Sequence, residues 1–462
     1  MKAISSEEQH KRMLQTPLLP LLASLALPTV ASQLVTILYN TADTWFVSQI
    51  STSASAAVGI CFALQSIIQA CGFGCGMGCG SLISRALGAK QDKQAATYAA
   101  SALIMAMGIG AVIGISGSLF TTPLMRILGS TDTILPYACA YARYILIAAP
   151  IMCGSFVLNN ILRSEGESSF AMVGLCTGSF LNIVLDPLLI FVCDMGTAGA
   201  AIATAVSQLV SFAILLSAFL RKKSIVPLKI SKISHDPADY AKILSTGFPT
   251  ICRQGMGSLS TAVLNGRAAL YGDAAVAAVT IVNKVYNLVR NVILGIGQGF
   301  QPIAGYNFGA QNKKRTREVF WLSCEIGTVF CTLAGIIIAF YAEPIMLWFR
   351  NDPEVAAIGK AALYYSCMVM PLMAFSTYVN QLYQCLGFRV PATVLACCRQ
   401  GICFLPLAFL LPSLIGLSGV EMLQPGADLL TFLISVPFLI LFMKKVLADP
   451  TVSETENSNF RP

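Results

Sequence analysis

Charge is scarce in this sequence, and histidine scarcer. Only 11% of the 462 residues are charged and two are histidine. A soluble domain carries about a quarter charged residues, so that class is excluded. The sixteen cysteines contain no Cys-x-x-Cys and none is paired with a histidine. No Ser/His or Cys/His combination stands out either, so neither a zinc site nor a nucleophilic enzyme is expected, and no cofactor. Short alternating strands are absent, which argues against an outer-membrane barrel. Residues 1–15 are polar and mixed in charge, with no short apolar core and small-residue cleavage site after them. No removable signal is expected, and the first helix should stay as an anchor. The net charge of +8 is dispersed through short loops between apolar runs. There it determines topology rather than recruiting nucleic acid.

What the sequence has is apolar length: 56% of its residues are hydrophobic, in repeated runs of about 20 or more. Twelve spans can be drawn: 17–46, 53–80, 95–120, 135–160, 169–193, 197–220, 246–271, 275–303, 319–345, 360–385, 391–415 and 427–445. The fold class is all-α and polytopic. Between spans six and seven lies the longest polar stretch, rich in lysine and arginine. The expected organisation is a cytoplasmic N-terminal segment (1–15), a six-helix lobe (16–220), a cytoplasmic linker (221–242), a second six-helix lobe (243–447) and a disordered tail (448–462). Lys11, Arg12, Arg85, Lys90, Lys93, Arg163, the linker, Lys313, Lys314, Arg315, Arg317, Arg389, Lys444 and Lys445 fall on one side. By the positive-inside rule that side is cytoplasmic and holds both termini, which requires an even number of spans.

A constant shift of 221 residues maps Pro28-Thr29 onto Pro249-Thr250 and Gln33 onto Gln254. The same shift carries Gly88-Ala89 to Gly309-Ala310, Tyr144 to Tyr365, Pro150 to Pro371, Asn159 to Asn380 and Gly166 to Gly387. Each half holds six spans and starts on the same side. The halves should therefore be related by a pseudo-twofold axis along the membrane normal, with a cavity between them. Cys71, Cys75 and Cys79, interleaved with glycines, share one helix face. A soft metal would suit three thiols, but small residues at this spacing more simply allow close helix approach. Free, buried thiols are expected.

The stretch from Ser179 to Pro187 carries the chemistry. Asn182 and Asp186 are four apart and share a helix face. Pro187 lacks an N–H and so frees the carbonyl of Ile183. Asp43, near the outer end of span one, is the other clear carboxylate at membrane depth. Ionisable groups there are costly and mark function by default, although a polar pair can also simply bond helix to helix. The shift of 221 sends Asp43 to Leu264, Asn182 to Cys403 and Asp186 to Leu407. The backbone plan is repeated but this site is not, which favours function over symmetric structural bonding.

Pro28-Thr29 through Asp43-Thr44, Ser84 to Ala89, Leu162 to Gly166, Asn182 to Pro187, Gly199 to Thr204 with Ser207-Gln208, and Pro302 to Gly309 together resemble the multidrug and toxic compound extrusion (MATE) family, in its bacterial MepA- and DinF-like branch. The resemblance runs from about Thr16 to Lys445. It implies two six-helix bundles, a multi-pass protein of the bacterial cytoplasmic membrane, and alternating access that exports small molecules in exchange for H+ or Na+. It further implies a coupling-ion site of Asp43, Asn182, Asp186 and Thr204, the same four being metal ligands if the ion is sodium. A carboxylate that some branches carry on helix seven is missing here, which leaves a second-lobe cation site without its anchor.

The substrate cavity is expected to be lined by Tyr39, Asn40, Lys284, Arg290 and Gln298. Arg253 and Arg267 are expected to snorkel towards opposite surfaces, whereas Lys284 and Arg290 lie deeper and suit the cavity wall. Their charge weakens the assumption that every substrate is a lipophilic cation. The partners expected are small molecules and the bilayer, with a monomer as the working unit. The alternative is a flippase for lipid-linked oligosaccharide, which would want a cationic cavity for pyrophosphate. Carboxylates with amide and hydroxyl oxygens suit Na+ or H+ equally, so the coupling ion stays open.

Overall fold

The computed structural model describes residues 6–221 and 223–446; the expected disordered tail lies outside them. A short helix, α1 (Ser6–Gln15), precedes the first lobe: α2 (Leu18–Ser48), α3 (Thr52–Gly88), α4 (Asp92–Leu119), a short α5 (Thr121–Ile127), α6 (Leu135–Ser164), α7 (Ser168–Pro187) and α8 (Gly196–Leu220). The second lobe contains α9 (Pro237–Ala269), α10 (Asp273–Gly309), α11 (Lys313–Phe340), a short α12 (Ala342–Phe349), α13 (Pro353–Leu386), α14 (Arg389–Cys397), α15 (Phe404–Ile415), a short α16 (Leu417–Glu421) and α17 (Leu423–Lys445). With α14 and α15 counted as one crossing, twelve long helical segments form two six-helix lobes. Ten are long and apolar enough to cross a membrane. The other two, α9 and α10, have 33 and 37 residues but carry a polar face.

Local chemistry explains the boundaries. Ser51 accepts from the Ala54 N–H to cap α3, and Asn312 does the same for α11 through Arg315. Asp236 caps α9 with Pro237 in its first turn, so the helix begins inside the stretch expected as linker. After Pro187 the missing N–H breaks the α-helical pattern, and α7 continues as a π-helical turn, Leu188–Val192. A second π-helical turn, Cys398–Ile402, joins α14 to α15.

The internal repeat reappears as repeated bonds. Asn159 Nδ2 donates to the Ala171 carbonyl at 3.0 Å, and Asn380 Nδ2 donates to the Ala392 carbonyl at 2.7 Å, each pinning the following helix. Gly166 and Gly387 both turn the chain at positive φ, +91° and +89°. The contacts between lobes are also reciprocal. A Cβ on Gly78 would lie 3.1 Å from Gly247 Cα, and one on Gly299 would lie 2.6 Å from Ala26 Cα, its mate under the shift. Likewise a Cβ on Gly88 would strike the Tyr306 carbonyl, while one on Gly309 would strike the Arg85 carbonyl. Only glycine lets these backbones approach so closely.

These contacts lie at the end bearing α1 and the basic loops. Towards the other end Gly59, Gly255 and Gly266 face open space. The lobes are thus shut against each other at the basic end, and beyond it they are parted by a cavity between Ser66 and Gln69 of α3 and the second lobe. On the shut face α1 bridges both lobes: Gln9 donates to the Glu165 carbonyl, and the Met13 carbonyl accepts from Asn307. Beyond α6, the buried Glu165 carboxyl accepts from Ser224 Oγ and from the backbone N–H groups of Ile225 and Val226. Burial pushes that carboxyl up to about 8, while these donors pull the other way.

Candidate functional site

The first-lobe site sits where α2, α7 and α8 meet. Asp43 (3% exposed), Asn182 (2%) and Asp186 (0%) are removed from solvent, with Thr204 buried beside them. Asn182 Nδ2 donates to Asp186 Oδ1 at 3.2 Å and lies 3.4 Å from Thr204 Oγ1. The amide's donors are thereby turned towards the carboxylate, leaving its oxygen free. Asn182 Oδ1, Asp186 Oδ2 and Asp43 Oδ1 are all buried without a hydrogen-bond partner. Buried acceptors are usually satisfied, so three converging in one site make a set whose chemistry would suit a proton or a cation. Clusters of three or more His, Cys, Asp or Glu that could hold a metal are absent among the described residues. A cation here would rely on two carboxylates, an amide oxygen and a hydroxyl, a hard-oxygen set.

Below this site a cavity of about 70 Å³ runs into the lobe, lined by Tyr39, Asn182, Thr204 and Gln298 among others. Gln298 reaches in from the second lobe and accepts from Gln33 Nε2 at 3.2 Å, forming a floor across the lobe boundary. Asn40 and Lys284 line neither this cavity nor the one described next. Lys284 is exposed, about a turn and a half along α10 from Arg290.

A second cavity, about 240 Å³, lies between Ser66 and Gln69 of α3 and the second lobe. Arg290 lines it as expected, but so does Arg253. The expectation that Arg253 snorkels to the surface is therefore corrected, because the polar face of α9 turns towards the cleft. Arg267 instead stacks on Phe409, 4.1 Å from the ring centre. The third arginine of the cavity, Arg399, lies on the second π-helical turn. Its Nε donates to Asp428 Oδ1 at 2.5 Å and its Nη2 to the Tyr286 hydroxyl at 2.6 Å, while Tyr286 donates to Asp428 Oδ2.

Asp428 is 1% exposed, so the view that the membrane-depth carboxylates belong to the first half alone is also corrected. Under the shift of 221, Arg253, Arg290, Arg399 and Asp428 replace Ser32, Gln69, Gly178 and Ser207. The ionisable groups of the two lobes thus occupy different positions of one plan. An arginine inside the apolar run of span eleven and an aspartate at the start of span twelve were the available signals.

A family model described as MatE matches residues 28–188 and again 249–410. The FAD transporter of Shewanella oneidensis is 28% identical over 90% of this chain and 93% of that protein. Multidrug export protein MepA of Staphylococcus saprophyticus is 24% identical over 92% and 94%. Among solved structures, a MOP superfamily transporter from Pyrococcus furiosus, its binding pocket described as of reverse polarity, superposes with a TM-score of 0.90 at 24% identity, covering 96% of this chain and 99% of that one. The outward-facing conformation of a multidrug resistance MATE family transporter gives 0.89 at 24%, covering 96% and 98%. MatE proteins are transporters rather than enzymes, and both halves of this duplicated helical chain match the family's model. The chain belongs to the MatE family, as a MepA-like multi-pass membrane transporter.

Proposed function

We propose that the protein is an H+- or Na+-coupled antiporter that exports amphipathic organic compounds by alternating access. The observation that supports this most is the set of three unpartnered oxygens on Asp43, Asn182 and Asp186. An ion reaching them from the parted end would neutralise the carboxylates and let α2 repack against α7. That changes the balance between the two lobe arrangements only through the ion's different affinity for each. In this reading the basic end is cytoplasmic, both termini lie there, and the parted lobes are the outward-open form. Residues 16–220 and 243–447 act as the two moving lobes of a monomer, and no cofactor beyond the ion takes part. Tyr39, Gln298 and Arg290 face the compound, with Asn40 and Lys284 meeting it nearer the mouth.

The alternative, a flippase for lipid-linked oligosaccharide, would use the arginines of the second cavity but has no need of the first-lobe oxygens. The test is efflux of a fluorescent dye from vesicles under separately imposed sodium and pH gradients. Export driven by one gradient and lost in Asp43→Asn/Asp186→Asn is the expected result. Full gradient-driven efflux by that double variant would remove the ion-site assignment.

A further inference from the structure

The second cavity is built for something other than a cation. Three guanidinium groups line it, those of Arg253, Arg290 and Arg399. Guanidinium stays charged at any physiological pH. Among the described residues one carboxylate answers them, Asp428, and it is bound to Arg399 alone. Arg253 and Arg290 form no ion pair there, and Arg290 has only a long contact of 3.5 Å with Asn287 Oδ1. The wall also includes the Gln424 amide, whose Nε2 is buried with no acceptor. Two positive charges are therefore in excess in the recess, with the Gln424 amide an unanswered donor beside them. Unpaired charge away from bulk water is costly, so the recess favours an occupant that is anionic and rich in acceptors.

The size of the recess narrows the class. A whole drug-sized ligand usually needs about 300–1,000 Å³, more than the 240 Å³ available. A head group fits, with the rest of the molecule in the cleft between the lobes. Arginine forks bind carboxylate and phosphate equally well in geometry. Two excess charges converging on one small recess favour a group carrying about two negative charges of its own. Tetrahedral phosphate oxygens can meet arginines that approach from α9, α10 and the π-helical turn, whereas the oxygens of a carboxylate lie in one plane.

We propose that this cavity binds the phosphate or pyrophosphate group of an organic anion that the protein exports. The proposal rests on the exporter reading for its direction of transport, but the site itself does not depend on it. Arg253 and Arg290 are the free binding charges. Asp428 and Tyr286 position Arg399, holding its Nε and one Nη so that the remaining edge faces the recess.

The test uses the full chain in phosphatidylcholine nanodiscs, with inorganic pyrophosphate as the probe and sodium chloride at matched ionic strength as the reference. Pyrophosphate should raise the Tm saturably in the wild type. Arg253→Gln/Arg290→Gln should shift the half-saturating concentration upward at least about tenfold, with each single variant between. Arg253→Lys/Arg290→Lys, which keeps the charge, should retain most of the effect and covers the case in which the glutamine pair does not fold. Competition by ADP rather than farnesyl diphosphate would assign a soluble anion, and the reverse a lipid-borne one. Protection no better than salt in the wild type, or equal protection in the glutamine pair, would overturn the site. Dye efflux by the same purified protein reconstituted in sealed vesicles separates the two claims. Efflux without pyrophosphate binding leaves the exporter and removes the anion site; saturable binding without efflux does the opposite.

Discussion

At Asp43, Asn182 and Asp186 the acceptors outnumber the donors by three buried oxygens. Asp186→Asn keeps the size of the side chain and supplies two N–H donors, so it should satisfy that deficit permanently and mimic the ion-loaded site. Gradient-driven efflux should fall about tenfold or more, the factor that losing about 1.4 kcal/mol of differential ion binding produces. Expression should hold, and vesicle efflux set against detergent-extracted yield checks both. Asp43→Asn should behave alike, whereas Leu264→Asn and Leu407→Asn, at the matching second-lobe positions, should spare coupling. Much of this site could be read in the sequence, because Asn182, Asp186 and Pro187 sit within one helix turn and a half and carry their geometry in their spacing. The second-lobe cluster could not. Tyr286 and Arg399 lie 113 residues apart, and Arg399 and Asp428 lie 29 apart, so only packing brings them together.

Elements on the shut face add two expectations. Glu165 fastens the α6–α7 turn to the start of the linker, and its carboxyl stands at about 8 against an ordinary 4.5. Between those values the folded protein keeps a proton that the unfolded chain releases. The stabilisation from this group is therefore full below the ordinary value and is lost as pH rises through the folded one. The Tm of the wild type relative to Glu165→Gln should fall from about pH 5 to about pH 8.5. An advantage that grows with pH would contradict this. Second, a Cβ on Gly247 would strike the Gly74 carbonyl. Gly247→Ala cannot keep α3 and α9 at their present distance, and overpacking of this kind costs about 1–3 kcal/mol. The variant should part the lobes at the basic end, raising maleimide labelling of a cysteine placed at Ser84, a buried position on that face. The lengths of these helices were less legible than their number. α3 and α10, at 37 residues each, reach past the about 30 Å that hydropathy can sense.

For the molecule as a whole, the reciprocal contacts Gly78–Gly247 and Ala26–Gly299 make one mechanical prediction. In a background freed of native cysteines, Ala26→Cys/Gly299→Cys should form a disulfide after a small relaxation and arrest efflux until reductant is added. Gly78→Cys/Gly247→Cys should do the same, since the two pairs are mates under the repeat. Arrest by one pair and not the other would mean that the seams do not open together. The repeat itself was legible because a fixed register of prolines, asparagines and glycines survives in apolar sequence, as the matched Asn159 and Asn380 bonds show. Most of the seam was not, because it is made where side chains are missing, and a missing side chain names no partner.

That seam also bears on how readily the protein can work in cycles. Interlocking side chains resist separation until each has been withdrawn from its socket and found a new rotamer. At Gly78, Gly247 and Gly299 there are no long side chains to withdraw, only the smooth flanks of helices. Their amides remain bonded within their own helices whether the flanks touch or part. The two halves can come away and meet again much as polished plates do, with little rearrangement inside either one.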